Sequence, residues 1–228
     1  MHSTLTISVP NGGVHHVGGV VGSARGGNTI SHCTFAGTMT VAAGSTDNFA
    51  GIVAYLGGDS VVFCANYGSI KFSDVGCAAG GIAGYLNNTG SYVRGCLNMG
   101  KVVCDEPDGV TSFGGAIVGR LRTHDAAKLT GDCWLEGSAY GGGCDGGTEK
   151  LPGALCVNET QLASGEACYF LNSDQSVIGW YQNLDGTDAL PLLDATHAQV
   201  YMAGRLHCNG DVYEGATYTN QETGVIQD

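Results

Sequence analysis

The chain has 228 residues, with 9 lysines and arginines against 21 aspartates and glutamates, for a formal net charge of -12. This charge repels phosphate backbones and anionic membrane surfaces, so neither is expected as a partner. No apolar run approaches the ~20 residues of a membrane helix, so no membrane insertion is predicted. Residues 1–13 lack the pattern of a signal peptide, and we expect the chain to be a piece of a longer protein.

Glycine is the strongest compositional signal, because 31 of the 39 glycines lie in residues 1–150 and 8 lie in residues 151–228. Glycine inside a helix costs about 1 kcal/mol relative to alanine, so the first region is not expected to be helical. The glycines stand beside β-branched residues, which indicates short strands joined by tight turns.

A glycine-flanked apolar phrase opens each of four copies of a repeat. The copies read GGVVG, AGIVA, GGIAG and GAIVG, at residues 18–22, 50–54, 80–84 and 115–119. Each is followed by a polar loop of variable length. A loop tolerates such variation because the entropy of closing it grows slowly with length.

A second element, nine residues long, begins at a cysteine in every copy. The four cysteines are Cys33, Cys64, Cys96 and Cys133, and a glycine stands four places after each, at Gly37, Gly68, Gly100 and Gly137. Apolar residues then alternate with polar ones in three copies, as the pairs Met39/Val41, Ile70/Phe72 and Val102/Cys104. This alternation is typical of strands with one buried face.

Each copy therefore predicts a pair of short strands that bury their apolar face only by stacking on the next copy. We predict a mainly β fold, a right-handed parallel β-helix or β-solenoid of about four repeats over residues 1–150. Equivalent residues would lie about 4.8 Å apart along the stack. One wall would contain Val20, Ile52, Ile82 and Ile117, and another a ladder of Cys33, Cys64, Cys96 and Cys133.

These phrases resemble the GLUG repeat of bacterial surface proteins. The resemblance rests on VGGVVG, on GGIAGYLNN and on the C-x-N-x-G-x-V pattern, and it covers residues 17–140. The second copy departs from the pattern, since Ala50 and Ala54 stand where glycine is usual. The resemblance implies a secreted or surface-attached bacterial protein with further domains.

Composition shifts after the glycine-rich stretch near residue 150, so residues 151–228 are predicted to form a small α+β module. One or two short helices are expected within residues 159–171, with Asn158 and Ser164 as N-caps. Strands are expected at VIGWYQNL and AQVYMAG. The segment resembles the C-terminal module of gut-type bacterial surface proteins. We expect it to cap the last repeat with Leu162, Phe170, Trp180 and Leu184; a ligand-binding role for its aromatic residues is the alternative.

The four ladder cysteines are expected to be core thiols, since buried free cysteine packs as a small hydrophobe. Six other cysteines could pair, with connectivity left open: Cys77, Cys104, Cys144, Cys156, Cys168 and Cys208. The chain has no C-x-x-C motif, so its sequence gives little support for a structural zinc site. It also has no G-x-S-x-G motif, which would supply a serine nucleophile, and no P-loop, which would bind a nucleotide phosphate.

Acidic residues recur in the loops that follow the cysteine element, at Asp47, Asp74, Asp105 and Asp108. Stacked repeats would place them along one edge, where their oxygens could bind Ca²⁺, contact a sugar or keep the protein soluble. No other cofactor is expected. The basic residues Arg25, Arg94, Arg120 and Arg122 are expected near the opposite loops.

Aromatic residues are the expected platforms if the chain binds a glycan. The candidates are Tyr55, Tyr67, Tyr85, Trp134, Tyr140, Trp180 and Tyr181. Tyr55 and Tyr85 occupy the same position of the repeat, so they are expected to form a stripe, whereas core packing is the alternative for Trp180.

The leading hypothesis is a non-catalytic secreted or cell-surface module for adhesion, or for recognition of a glycan or a host or cell-surface protein. One alternative is a polysaccharide lyase or glycosidase on a pectin-lyase-like β-helix, which would need two or three carboxylates in one cleft. The other is a purely structural stalk with buried aromatic residues.

Overall fold

The structure is a computed structural model of the chain. It describes residues 15–41, 48–72, 77–87, 90–105, 113–122, 128–139, 153–172, 177, 179–182 and 188–193, and the backbone alone of residues 6–9, 204–208, 211–216, 218–220 and 225–227. Within these residues the fold is mainly β, with two short helices. This confirms the predicted fold class at the level of secondary structure.

Short strands follow one another along the repeat region, with glycine or polar residues between them. Before the first repeat lies β1 (Thr6–Val9). The first repeat contains β2 (His16–Gly18), β3 (Val21–Arg25), β4 (Thr29–Ser31), β5 (Thr34–Phe35) and β6 (Thr38–Val41). The second contains β7 (Asn48–Ala50), β8 (Val53–Gly57), β9 (Ser60–Val62), β10 (Ala65–Asn66) and β11 (Ser69–Phe72).

The third and fourth repeats follow the same order. The third contains β12 (Ala78–Gly80), β13 (Ala83–Leu86), β14 (Tyr92–Arg94), β15 (Leu97–Asn98) and β16 (Val102–Cys104). The fourth contains β17 (Phe113–Gly115), β18 (Val118–Leu121), β19 (Leu129–Thr130) and β20 (Asp132–Leu135), and β21 (Ala154–Val157) comes after it. Each complete repeat thus has five short strands, where the sequence predicts two.

Every strand of this region pairs in parallel with the strand that holds the same place in the next repeat. Five parallel sheets result, which we name by place: sheet A (β1-β6-β11-β16), sheet B (β2-β7-β12-β17), sheet C (β3-β8-β13-β18), sheet D (β4-β9-β14-β19) and sheet E (β5-β10-β15-β20-β21). The last strand of sheet E lies beyond residue 150, in the segment that the sequence assigns to the C-terminal module.

Equivalent apolar residues stack in columns inside the repeat region. In sheet C, Leu56 pairs with Leu86, and Leu86 with Leu121, and all three are buried. The predicted residues Met39, Val41, Ile70, Phe72, Val102 and Cys104 are all buried in the core between sheets A and B. The alternation read from the sequence is therefore confirmed.

The predicted isoleucine wall is confirmed at Ile52, Ile82 and Ile117, which are fully buried, and is wrong at Val20, which is 41% exposed. Val20 belongs to the first repeat, which has a described neighbouring repeat on only one side. The side chain of Val20 therefore lacks the contacts from a preceding repeat that help to bury Ile52, Ile82 and Ile117.

A left-handed backbone residue precedes each strand of sheet E. His32 and Phe63 have φ of 53° and 50°, and Gly95, Gly131 and Gly153 have φ of 61°, 65° and 90°. Side-chain-bearing residues rarely adopt this conformation, and glycine adopts it without strain. The backbone therefore makes a similar turn before each of the five strands of sheet E, and glycine occupies the left-handed position in the last three turns.

Two short helices follow β21, as predicted: α1 (Glu159–Ala163) and α2 (Glu166–Leu171). Asn158 caps α1 through a capping box, since its side chain accepts from the Gln161 N–H and the Gln161 side chain accepts from the Asn158 N–H. The prediction for Ser164 is wrong. Ser164 ends α1, and Gly165, in a left-handed conformation, precedes α2.

The helices pack on the side of the repeat stack, and the expectation that Leu162 and Trp180 cover the last repeat is corrected. Both residues belong to one apolar cluster with Ala65, Leu97 and Cys133, which lie in successive strands of sheet E. The Trp180 Nε1–H donates to the Gly95 carbonyl oxygen over 2.7 Å.

The sequence of sheet E accounts for this lateral packing. In the same column Thr34 is polar and exposed, whereas Ala65, Leu97, Cys133 and Leu155 are apolar and buried. The face is thus apolar from the second repeat onward. Phe170 is half-buried, and Leu184 lies outside the described residues.

Three antiparallel pairs complete the described backbone. They are β22 (Trp180–Tyr181) with β23 (Leu192–Leu193), β24 (Gly204–Cys208) with β25 (Asp211–Ala216), and β26 (Tyr218–Asn220) with β27 (Val225–Gln227). The predicted strand at AQVYMAG lies outside the described residues except for Gly204. Neither helix of the described segments has the length and apolarity to cross a bilayer.

Candidate functional site

The predicted cysteine ladder holds for three members and is wrong for the fourth. Cys33, Cys64 and Cys96 lie in the same core, and the Cys33 N–H contacts the Cys64 Sγ at 3.5 Å. Cys133 instead pairs with Leu97 and lies in the cluster that contacts the helices. In the fourth repeat Asp132, rather than Cys133, occupies the position equivalent to Cys33, Cys64 and Cys96.

A shift of one residue in the fourth repeat explains this. Gly131 takes the left-handed corner, so Asp132 follows it where Cys96 follows Gly95. One extra residue in the turn after β20 then restores the register, because Ala139 bridges to Val102. Because Gly137 still follows Cys133 by four residues, as in the other repeats, the sequence spacing shows neither the shift at Asp132 nor the extra residue in the turn.

Burial is the largest effect on the pKa values of Cys33, Cys96 and Asp132, and a hydrogen bond is the largest for Cys64. Burial raises the pKa of the Cys96 thiol and, more weakly, that of Cys33. The Cys64 pKa is lowered, chiefly by a hydrogen bond from Cys96. Burial also raises the pKa of Asp132 well above its ordinary value, against the opposing effects of its hydrogen bonds and of Arg94.

Five of the described cysteines are free thiols: Cys33, Cys64, Cys96, Cys156 and Cys168. Two further cysteines of the sequence, Cys144 and Cys208, have no described side chain. Among the four predicted core thiols, Cys64, Cys96 and Cys133 are fully buried and Cys33 is partly exposed.

Two buried asparagines were not singled out from the sequence. The Asn66 Nδ2 donates to the Asn98 Oδ1 over 2.7 Å, and the Asn98 Nδ2 donates to the Gly100 carbonyl oxygen over 3.0 Å. Asn66 also accepts from the Gly68 N–H. The signal was present in the repeated C-x-N-x-G pattern, where the asparagine satisfies backbone groups at the turn before sheet A.

The predicted tyrosine stripe is present on sheet C. Tyr55 and Tyr85 are paired across β8 and β13, and their ring centroids are 5.9 Å apart in an edge-to-face arrangement. The His16 ring stacks on Tyr55 with centroids 4.8 Å apart. The Asn87 Nδ2 donates to the Tyr55 hydroxyl.

Arginine side chains lie over these rings. The Arg25 guanidinium carbon is 4.6 Å from the Tyr55 centroid. The Arg120 carbon is 5.2 Å from the Tyr85 centroid and 4.6 Å from that of Phe113. The rings are half-buried and the arginines are exposed. The groups presented to solvent are therefore the guanidinium groups, supported by rings.

We name this surface the arginine edge; its residues are Arg25, Tyr55, Tyr85, Phe113, Arg120 and Arg122. The Arg122 Nη1 donates to the Asn87 carbonyl oxygen over 3.3 Å, which places the third guanidinium beside the tyrosines. Of the four arginines predicted to lie opposite the acidic edge, Arg25, Arg120 and Arg122 lie together here. Arg94 lies elsewhere, over the Phe63 ring.

The glycine phrase builds this edge. It folds the chain back between sheets B and C so closely that a Cβ on Gly84, in sheet C, would lie 2.8 Å from the carbonyl oxygen of Phe49, in sheet B. The beginning of each sheet B strand therefore meets the end of the sheet C strand. This is why His16 contacts Tyr55, and Phe113 contacts Arg120.

The other predicted aromatic residues do not join the arginine edge. Trp134 is in the inner core, and Trp180 and Tyr181 are buried beside the helices. Tyr67 is 40% exposed at the turn between sheets E and A. Tyr140 lies outside the described residues.

The predicted acidic edge is described only at Asp105. Its Oδ2 lies 3.0 Å from the Lys71 Nζ, so this carboxylate forms a salt bridge. Asp47, Asp74 and Asp108 lie outside the described residues. Among the residues whose side chains are placed, no group of three His, Cys, Asp or Glu has the geometry to hold a metal ion.

Comparisons with known proteins returned no relatives. No family model matches the chain, and no match was found among curated proteins or solved structures. The GLUG resemblance thus remains a prediction from the repeated phrases.

Proposed function

We propose that the repeat region is a β-solenoid and that the chain is a non-catalytic surface module that recognises a glycan or a host or cell-surface protein. The observation that carries this function is the arginine edge, in which exposed guanidinium groups are held on a column of half-buried rings.

The solenoid rests on the pairing pattern. Each strand from β1 to β15 pairs in parallel with the strand five places later, in five sheets, so one path through sheets B, C, D, E and A completes a repeat. A chain that advances by one strand spacing per repeat winds about an axis. Repeated rigid faces of this kind suit recognition of extended ligands.

A bacterial secreted or cell-surface location and membership of the GLUG family belong to the same proposal. Their support is the repeated phrase, which resembles that family. Function is still argued from the site, because one fold serves many functions.

The arginine edge has the properties of a recognition surface. Arg25 and Arg120 are exposed, yet each is positioned by a ring within 5.2 Å. Cation–π contacts of this kind contribute about 0.5–1 kcal/mol at exposed sites. A side chain that is already ordered loses less entropy on binding.

A glycan array tests the proposal, run with and without Ca²⁺. The test variant is Tyr55→Ala with Tyr85→Ala, and the control is Tyr67→Ala with Tyr92→Ala, since the control tyrosines are 40% and 43% exposed elsewhere. The test pair should weaken glycan binding by at least about fivefold, because the rings position the guanidinium groups. Far-ultraviolet circular dichroism checks that each variant folds.

Equal losses for both pairs would contradict a site at the arginine edge. Cleavage of an arrayed polysaccharide would support the enzyme hypothesis instead. Failure to bind any glycan or cell surface would favour a structural stalk.

A further inference from the structure

We propose that the arginine edge selects anionic saccharides, through carboxylate or sulfate groups that bind its guanidinium groups. This inference rests on the proposed function and names the class of ligand.

The edge concentrates positive charge on a strongly acidic chain. Arg25, Arg120 and Arg122 are three of the five arginines in a sequence of formal net charge -12. The described residues contain the Lys71–Asp105 salt bridge, and none that involves these three arginines. Their charge is therefore not neutralised by a protein carboxylate of the described segments.

The chemistry of the guanidinium group matches this ligand class. A guanidinium group that stacks on a ring through its face keeps the N–H donors in its plane available to a ligand. Two parallel N–H donors fit the two oxygens of a carboxylate or sulfate, and such charge-assisted pairs are stronger than neutral ones. A neutral sugar hydroxyl offers no equivalent gain.

The spacing favours a polymer over a single sugar. Arg25 lies in the first repeat, and Arg120 and Arg122 lie in the fourth. Three steps of about 4.8 Å separate these repeats by about 14 Å. A chain with several acidic groups can contact both ends of the edge, and linked contacts raise the overall affinity.

The negative net charge of the protein weakens non-specific binding of polyanions. The net charge of -12 repels nucleic acid and acidic saccharides alike at long range, so binding of either depends on close contacts along this edge. We assign the site to acidic saccharides because the proposed function is glycan recognition, and duplex DNA is the alternative ligand in the test.

The test measures binding of the intact chain to immobilised polygalacturonate, dextran sulfate, dextran and duplex DNA. The test variant is Arg120→Gln with Arg122→Gln. The control is Lys71→Gln with Lys101→Gln, which changes the net charge equally outside the arginine edge. All four side chains lie on the surface, so both variants are expected to fold, which thermal unfolding checks.

The wild type should bind polygalacturonate or dextran sulfate and bind dextran at least about tenfold more weakly, since hydrogen bonds from a guanidinium group to an anionic oxygen are stronger than those to a neutral hydroxyl. The two anionic polymers distinguish carboxylate from sulfate. Arg120→Gln with Arg122→Gln should lower affinity for the preferred polymer by at least about tenfold. The lysine control should stay within about twofold of the wild type.

Equal binding of dextran, equal binding of duplex DNA, or equal losses in the two variants would each overturn the inference. If the chain binds only neutral glycans at the arginine edge, the inference fails and the proposed function stands. If it binds no glycan and no cell surface, both fail.

Discussion

The Oδ1 of Asp132 accepts a hydrogen bond from the Cys96 N–H over 2.8 Å, in the buried interior of the repeat region. The Oδ2 of the same carboxyl group accepts from the Thr130 N–H over 3.2 Å. A fully buried carboxyl group thus stands where the repeat pattern predicts a thiol. Its ionisation should be visible in the stability of the protein.

Because burial raises the pKa of Asp132, the folded chain retains a proton that the unfolded chain releases above about pH 4. The contribution of this group to stability is therefore fully present below that pH and is lost as the pH rises toward the raised pKa. Asp132→Asn should remove this decline, which urea unfolding between about pH 4.5 and about pH 8 measures.

The control for this experiment is Asp105→Asn, whose carboxylate is 43% exposed and paired with Lys71. It should keep the pH trend of the wild type. An Asp132→Asn variant whose free energy of unfolding declines with pH as steeply as that of the wild type would contradict the role of Asp132.

Gly95 should be intolerant of a side chain. It has φ of 61°, and a Cβ there would lie 2.5 Å from the Phe63 ring and 2.8 Å from the Leu171 carbonyl oxygen. Gly95→Ala should lower the free energy of unfolding by more than about 2 kcal/mol, since steric overlap adds to backbone strain of about 1–2 kcal/mol.

Gly137 is the matched control, because it has φ of 69° with no atom within 4 Å of an added Cβ. Gly137→Ala should cost only the strain, about 1–2 kcal/mol. Urea denaturation of both variants gives the comparison. Equal losses would show that the contact with Phe63 and α2 contributes nothing.

The lateral packing of the helices predicts a large loss for Leu97→Ala. Leu97 is fully buried in the cluster shared by sheet E and the helices. Its truncation should cost about 2–5 kcal/mol, because a cavity adds to the lost transfer free energy. Val103→Ala, at a position 41% exposed, should change stability by less than about 0.5 kcal/mol.

Limited proteolysis adds a second measurement for Leu97→Ala. A loosened contact should expose residues 159–171 to cleavage before the repeats are cut. A variant that keeps wild-type stability and protection would contradict the lateral arrangement.

The buried pair Asn66 and Asn98 predicts that replacing Asn98 with an apolar residue lowers the stability of the protein. Asn98→Ala removes the partner of Asn66 and a donor to the Gly100 carbonyl. Leaving these groups unsatisfied should cost about 1–3 kcal/mol. Thermal unfolding measures the loss, with the exposed Thr40→Ala as control. A neutral effect of Asn98→Ala would show that the pair is dispensable.

The described thiols should differ widely in alkylation by iodoacetamide. Cys156 is exposed, although partial burial and Glu136 raise its pKa. Cys96 and Cys168 are buried, and burial raises the pKa of each because it disfavours the thiolate. Peptide mass mapping of the native protein should find label at Cys156 and none at the other two. Rapid labelling of Cys96 in the folded state would contradict its place in the core.

Several features followed from local patterns that a single strand or helix already carries. Alternation at Met39 and Val41 identified a buried face, and Asn158 as an N-cap identified the start of α1. Tyr55 and Tyr85 were matched because they recur at one position of the repeat. The sequence shows such signals because they depend on neighbouring residues or on the period of the repeat.

Other features depend on how strands meet across repeats, and sequence spacing does not record this. Cys133 keeps the cysteine spacing, yet one residue of shift moves it to the opposite face of sheet E, because side chains in a strand alternate between faces. Five strands per repeat, rather than two, likewise emerge from pairing between repeats.

The sequence by itself determined the repeat, the mainly β class, the two helices and the shared position of the tyrosines, because each depends on periodicity or on local capping. Only the tertiary structure decided that the helices lie along sheet E, that Asp132 enters the core, and that Arg25 and Arg120 lie over the tyrosine rings. These outcomes depend on contacts between residues distant in the chain, whose partners are selected by packing and register once the strands have paired.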